Sequence, residues 1–292
     1  MPRRDLLDLL FLGAIWGAAF LFIRIAVPEF GPLALVEVRV AIAATMLLAL
    51  VAARRQLGAF RGHWRALALI GTLNTAVPFA LYAYATRSVP AGFAAVLNAT
   101  VPLFGALLGR LSFKESLGPM RALGLGVGFV GVLVLVSRDL SVDGRPLAIA
   151  AALSASLMYA LSAHLTRRVL PGVPSVVIAA GSLVVSVVLL AIPAALTWPA
   201  VMPSFGAWMA TLALAALATG LGYILYFRLL DNAGATGAMA VTYLIPLFGM
   251  VWGGIFLGER VTLPMLIGSA FILLGVAITT GTVRALFARR ER

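Results

Sequence analysis

The chain consists almost entirely of apolar runs that are each long enough to cross a bilayer. A hydrocarbon core of roughly 30 Å is spanned by about 20 residues of helix. Turn residues and charges divide the sequence into ten runs of that size: 6–27, 33–52, 65–87, 91–111, 119–137, 147–166, 174–197, 206–229, 234–257 and 264–283. The breaks hold helix-ending residues, as in Pro28-Glu29-Phe30-Gly31-Pro32, Ser88-Val89-Pro90, Pro171-Gly172-Val173-Pro174 and the stretch from Pro199 to Ser204. Hydrophobic residues make up 62% of the chain and charged residues 11%, with a mean hydropathy of +1.07. A soluble domain carries about 45–50% and about 25%. A soluble domain, a disordered chain and a disulfide scaffold are thereby excluded. There is no cysteine, so disulfides and thiolate metal sites are excluded too. The two histidines, His63 and His164, are too few for most histidine-built metal centres. Outer-membrane strands, which alternate apolar and polar residues, are absent. The expectation is an all-α integral membrane protein with ten transmembrane helices and no metal or cofactor.

The net charge of +12 raises nucleic acid as a partner, but the charges sit between the apolar runs and not along one basic face. In a membrane protein this excess is a topology signal and an attraction to anionic lipid headgroups. Arg3 and Arg4 precede the first run, which is too long for a signal peptide and lacks a small-residue cleavage site. With the N-terminus inside, sixteen of the twenty-two Lys and Arg fall in cytoplasmic segments. Only Arg87, Arg138, Arg145 and Arg260 fall outside, and Arg24 and Arg39 lie within helices. Nine or eleven helices would scatter the later groups over both sides. Both termini are therefore expected in the cytoplasm of a bacterium, with 285–292 as a basic cytoplasmic tail and the plasma membrane (the inner one in a Gram-negative cell) as the location.

The sequence also repeats itself. Residues 80–136 can be laid over 224–280 without a gap. Leu81-Tyr82 then meets Leu225-Tyr226, and Pro102-Leu103-Phe104-Gly105 meets Pro246-Leu247-Phe248-Gly249. Gly109 meets Gly253, Glu115 meets Glu259, Gly124 meets Gly268, and Gly131-Val132 meets Gly275-Val276. Upstream, after a shift of one residue, Trp16 meets Tyr159, Arg24 meets Arg167 and Pro28 meets Pro171. The expected halves are 1–138 and 146–284, with five helices each. An odd number of spans forces the second copy into the membrane upside down. Inverted repeats are the architecture of secondary transporters, whose site lies between the halves near the midplane.

Ala14-Ile15-Trp16-Gly17-Ala18-Ala19-Phe20 followed by Arg24, Pro32 and Arg39 resembles the opening of an EamA repeat. So does each Pro-Leu-Phe block that is followed by a glutamate at a helix end, Glu115 or Glu259. The resemblance covers nearly the whole chain and is to the EamA type of the drug/metabolite transporter superfamily. It implies a ten-helix, five-plus-five inverted fold and export of amino acids or other metabolites, aromatic amino acid exporters being the nearest likeness. The second repeat departs from the pattern at Tyr159, where tryptophan is expected.

Trp16, Asn74, Tyr82, Asn98, Tyr159 and Tyr243 fall within the expected spans and form the candidate solute site. A polar group at mid-bilayer pairs within the bundle or lines a wet cavity. The asparagines both donate and accept hydrogen bonds, which suits a zwitterion, and the rings offer stacking or cation–π walls. Bridging between helices fits each residue equally well when taken singly. Pro78, Pro102 and Pro246 are candidate hinges, since a proline inside a helix frees a carbonyl. Gly105, Gly109, Gly249 and Gly253 are candidate packing points between the halves. Glu37 and Arg24 are expected to form a structural ion pair.

The expected function is a secondary transporter exporting a small neutral or zwitterionic metabolite by alternating access, amino acids first and aromatic ones favoured, working as a monomer with no nucleic-acid partner. A proton-coupled drug or metabolite exporter is the alternative, because Glu37 is the one acid well inside a span. A channel is the other, although no filter of repeated carbonyl or charged rings is evident. A phosphate loop is absent, the sole lysine being Lys114 after Phe113. No nucleophile–base arrangement suggests an enzyme.

Overall fold

In a computed structural model describing residues 3–137 and 145–281, the chain is helical, with no strand among the described residues. The spans are α1 (Arg3–Phe30), α2 (Pro32–Ala53), α3 (Trp64–Ala85), α4 (Ala91–Leu111), α5 (Pro119–Val136), α6 (Arg145–Val169), α7 (Ser175–Leu196), α8 (Phe205–Gly234), α9 (Gly237–Leu257) and α10 (Leu263–Thr279). Nine described helices are long and apolar enough to cross a membrane, and α10, with 17 residues, is slightly shorter. The protein is a multi-pass membrane protein. Successive spans alternate in direction, so α1 begins and α10 ends on one side, the N-terminal face. Arg138 and the tail 285–292 lie outside the described residues.

The turns follow from local chemistry. Gly31, at φ 72 and ψ 164, is the one non-helical residue between α1 and α2, in a region open only to glycine, and Pro32 then opens α2 where its missing N–H costs nothing. Ser204 and Thr262 cap α8 and α10 with their hydroxyls.

Packing shows the inverted symmetry directly. Helices α2 and α7, α4 and α9, and α5 and α10 each pair with their own repeat counterpart. Helix α1 packs on α8 and α9, as α6 packs on α3 and α4. Exchanging the halves leaves this pattern unchanged. The α5–α10 seam is the closest, because glycines let the backbones touch. A Cβ on Gly275 would lie 2.5 Å from the Gly128 Cα, and one on Gly131 would lie 2.7 Å from the Gly268 carbonyl oxygen.

Helices α3 and α8 each widen into a π-helical segment, at Thr72–Ala76 and Leu214–Leu221. Extending the repeat alignment backwards puts Asn74 on Ala218 and Thr75 on Thr219, so the two bulges are counterparts. A π bulge displaces carbonyls from the helical ladder and recurs at functional sites.

The expected proline hinges need correction. Pro78 lies in the first turn of the α-helical stretch Val77–Ala85 that follows the π segment. Helix α4 is broken at Ala99-Thr100, so Pro102 opens the stretch Val101–Leu111 without kinking a continuous helix. Pro246 lies inside the α-helical stretch Val241–Leu257, and Pro78 inside the continuous span Trp64–Ala85 just after its π segment. Sequence-equivalent prolines therefore sit in different local geometries.

Candidate functional site

A cavity of about 370 Å³ lies between the halves, lined from α1, α2, α3, α4, α6, α8 and α9. That is at the small end for metabolite pockets, which run about 300–1,000 Å³. Its wall is mainly apolar and aromatic, with Trp16, Phe20, Phe79, Tyr159, Tyr223 and Tyr226. The polar lining comes from Arg39, Asn74, Asn98, Thr219 and Thr242, with no carboxylate. The lining reaches Met239 and Val241 on the N-terminal-face side of α9, while none of it comes from a last helical turn at the opposite face. The cavity is therefore displaced toward the N-terminal face.

The α8 bulge supplies the two polar contacts that fix the wall. Trp16 Nε1 donates to the Ala218 carbonyl at 3.0 Å. The indole can approach because Gly222 has no side chain: a Cβ there would lie 2.5 Å from Trp16 Nε1. Arg39 Nε donates to Thr219 Oγ1 at 2.9 Å, and the Thr219 hydroxyl donates to the Leu214 carbonyl at 3.0 Å. The Arg39 guanidinium lies 3.6 Å from the Phe79 ring centroid. Asn74 stands in the matching bulge of α3.

Of the six expected solute residues, Trp16, Asn74, Asn98 and Tyr159 line this cavity. Tyr82 and Tyr243 do not. Tyr82 is 3% exposed, and its hydroxyl bonds Ser156 at 2.7 Å, Ser156 in turn donating to the Leu97 carbonyl at 3.1 Å. It knits α3, α4 and α6 together behind the wall. The Tyr243 hydroxyl lies 3.2 Å from Thr280 Oγ1 and joins the N-terminal-face ends of α9 and α10. Sequence reasoning did not place Arg39, Thr219, Tyr223 and Tyr226 here: the last three lie in or just after the α8 bulge, which apolar periodicity does not announce, and Arg39 of α2 meets the cavity through Thr219.

The packing glycines divide. Gly249 seats Ala95 of α4, a Cβ on it lying 2.5 Å from that methyl. Gly105 faces open space, so the packing role expected for it is not found. Gly253 lies in the α4–α9 contact, a Cβ on it falling 3.6 Å from the Gly92 nitrogen, and a Cβ on Gly109 would lie 3.6 Å from the His164 ring of α6. Each leaves room for a carboxylate of its own chain end, Glu115 or Glu259.

Those glutamates also correct the expected ion pair. Arg24 does not meet Glu37, whose Oε2 is buried with no hydrogen-bond partner. Arg24 donates instead to the Thr86 and Arg87 carbonyls at the end of α3 and lies 4.0 Å from Glu259. Gly258, left-handed at φ 63, turns the chain so that the Glu259 N–H meets the Gly253 carbonyl at 3.1 Å. The Glu259 carboxylate then accepts from the Ala91 and Gly92 N–H groups at 2.9 and 3.4 Å, capping α4 at the face opposite the N-terminus. In the first repeat the same turn occurs at Lys114, φ 57, and the Glu115 N–H meets the Gly109 carbonyl at 2.8 Å. The Glu115 side chain, however, caps no helix among the described residues. It is half exposed, 3.6 Å from His164, whose Nε2 lies 2.9 Å from the Gly105 carbonyl oxygen.

The sequence profile of the EamA-like transporter family matches residues 6–137 and 146–281. The chain belongs to the EamA-like transporter family. As an EamA-like transporter it is a membrane transport protein and not an enzyme. Relatives run nearly end to end with it. The "Uncharacterized transporter YvbV" of Bacillus subtilis is 25% identical over 98% of this chain and 94% of its own length. The "Uncharacterized inner membrane transporter YedA" of Escherichia coli is 29% identical over 91% of this chain and 87% of its own. The "Probable amino-acid metabolite efflux pump" of Salmonella typhimurium is 24% identical, covering 95% of both chains. A solved structure described as "Crystal structure of protein" matches with a TM-score of 0.68 at 20% identity, over 97% of this chain and 99% of its own, and shares the fold.

Proposed function

We propose that this EamA-like transporter exports a small neutral or zwitterionic metabolite from a bacterial cytoplasm by alternating access, with amino acids as the substrate class and aromatic ones favoured. The observation that carries the reading is the unequal state of two equivalent parts. Glu259 is docked on the start of α4 at one face, and Glu115 is undocked at the other. Ala235 and Thr236, just before α9, are the sequence counterparts of Ala91 and Gly92 in the repeat. Docking of Glu115 there, with release of Glu259, exchanges the roles of the halves and moves the opening across the membrane. The arginine distribution supports a cytoplasmic N-terminal face, and the displacement of the cavity toward that face supports an inward-facing described state. The cavity is lined by residues of one chain, which supports the monomer as the transport unit. The relative named for amino-acid metabolite efflux agrees with the aromatic, uncharged-to-cationic lining.

The test is counterflow in liposomes holding purified protein. Unlabelled phenylalanine inside should drive transient accumulation of labelled phenylalanine from outside. Accumulation without preload, or linear unsaturable flux, would mark a channel. Glu37, half-buried with one carboxylate oxygen buried and unpartnered, keeps proton coupling as a second reading. It is supported if pH-dependent flux is abolished in Glu37→Gln with folding intact.

A further inference from the structure

The cavity holds a cation that the protein does not neutralise. Arg39 is 7% exposed and lies within a membrane span, where an unpaired charge is costly. No acidic side chain lies within salt-bridge distance of it among the described residues, and none lines the cavity. Glu37 is two positions away on the same helix and so faces elsewhere.

The guanidinium is held rather than satisfied. Its Nε is engaged by Thr219 and one face is covered by Phe79. Its two terminal nitrogens make no hydrogen bond among the described residues. A planar fork fixed through Nε and one face leaves its remaining donors in the arrangement that matches a carboxylate, and a charge-assisted pair of this kind is the strong form of the bond. The repeat does not duplicate the charge: the counterpart of Arg39 is Ser182, buried with an unpartnered hydroxyl. The cavity thus has one fixed positive pole, facing the asparagines and the ring wall.

We propose that Arg39 is the carboxylate receptor of the transported solute and therefore decides its class: a small carboxylate with an apolar or aromatic body. This rests on the carrier reading above. Amines and amides that lack the carboxylate leave Arg39 uncompensated and add a second desolvated group, so they are rejected. The ammonium of an amino acid is tolerated by the Asn74 and Asn98 carbonyl oxygens and by the ring faces, without an ion pair.

Two measurements on purified full-length protein test this. Phenylalanine and leucine are each compared with the amine lacking the carboxylate, the corresponding amide, and the carboxylate lacking the ammonium. In a thermal-shift panel the acids should raise the Tm at millimolar concentration and the amines and amides should not. In counterflow the acids should compete at least tenfold better than the amines. Arg39→Gln, which can still bond Thr219, should lose the acid-dependent shift and weaken acid competition tenfold or more. Arg39→Lys should keep part of both, and Thr219→Val should keep the preference for acids. Equal competition by amine and acid in an active carrier overturns the receptor and leaves the carrier. An acid-specific, Arg39-dependent shift without counterflow keeps the receptor and overturns the carrier. A panel with neither shift nor flux overturns both.

Discussion

Replacing Glu259 by Gln tests the proposed closure at the face opposite the N-terminus. The carboxylate accepts from Ala91 N–H at 2.9 Å and from Gly92 N–H at 3.4 Å, with Arg24 at 4.0 Å. Gln keeps the shape and one acceptor and loses the charge. Hydrogen bonds to charged groups contribute about 1.5–3 kcal/mol against about 0.5–1.5 for neutral ones. A negative charge at a helix start adds about 0.3–1 kcal/mol. Arg24 is a third exposed and at the limit of contact, so its share is under about 1 kcal/mol after screening. The expected loss is about 1–2.5 kcal/mol, or roughly 5- to 70-fold in the population of the described state. The chain has no cysteine, so one introduced at the cavity wall, Val101→Cys, is the only thiol. A membrane-impermeant maleimide applied from each side in turn reads which face is open. Glu259→Gln should raise labelling from the opposite face by a factor within that range and lower it from the N-terminal face. Glu115→Gln should do the reverse, because its carboxylate is undocked in the described state and is needed only in the other. Unchanged labelling in folded Glu259→Gln, or a shift in the same direction by both variants, would refute the closure and the symmetry argument together.

Three further outcomes follow from particular contacts. Gly275→Val forces a side chain against the Gly128 backbone, where a Cβ alone would lie 2.5 Å away; overpacking of this kind costs about 1–3 kcal/mol. It should lower the Tm measurably, whereas Gly105→Ala, facing open space, should leave the Tm unchanged. Tyr82→Phe removes a buried hydroxyl bonded to Ser156 and should cost about 0.5–1.5 kcal/mol of stability with no change in competitor ranking, since the ring does not line the cavity. Gly222→Ala pushes Trp16 off the Ala218 carbonyl and should weaken competition by aromatic solutes about tenfold, a loss equivalent to roughly one neutral hydrogen bond, while the Tm moves little.

The helices were legible because hydrophobic run length and proline-glycine breaks act locally. The spans come within a few residues of those expected, and the spaced glycines aligned in the repeat, Gly124, Gly131, Gly268 and Gly275, form the α5–α10 seam. The site was legible in part. Trp16, Asn74, Asn98 and Tyr159 are polar or aromatic groups deep in otherwise apolar runs, which is a signal in itself. Arg39 looked like a residue near a helix end with an acid beside it. Its partner, Thr219, is 180 residues away and is turned inward by a π bulge that apolar periodicity does not announce. The Arg24–Glu37 pairing failed for a related reason. Proximity in the α1–α2 hairpin was outweighed by a left-handed turn at Gly258 that delivers Glu259 to the same arginine.

The two glutamates mark where sequence reading reaches its limit. Their local motifs match, each a glutamate after a left-handed residue whose N–H returns to a glycine carbonyl, and yet one carboxylate caps a helix and the other does not. A repeat can encode two equivalent parts, but it cannot encode which is engaged, because local chemistry is alike in both. On the proposed closure, engagement is decided globally: docking of a glutamate on the start of α4 or α9 at one face excludes the equivalent docking at the other. On the alternating-access reading, near-equality of the two docking energies is therefore the property selected. A single large imbalance, in either direction, would hold the carrier at one face. The labelling experiment measures that balance, and variants at Glu115 and Glu259 should displace it by comparable amounts with opposite sign.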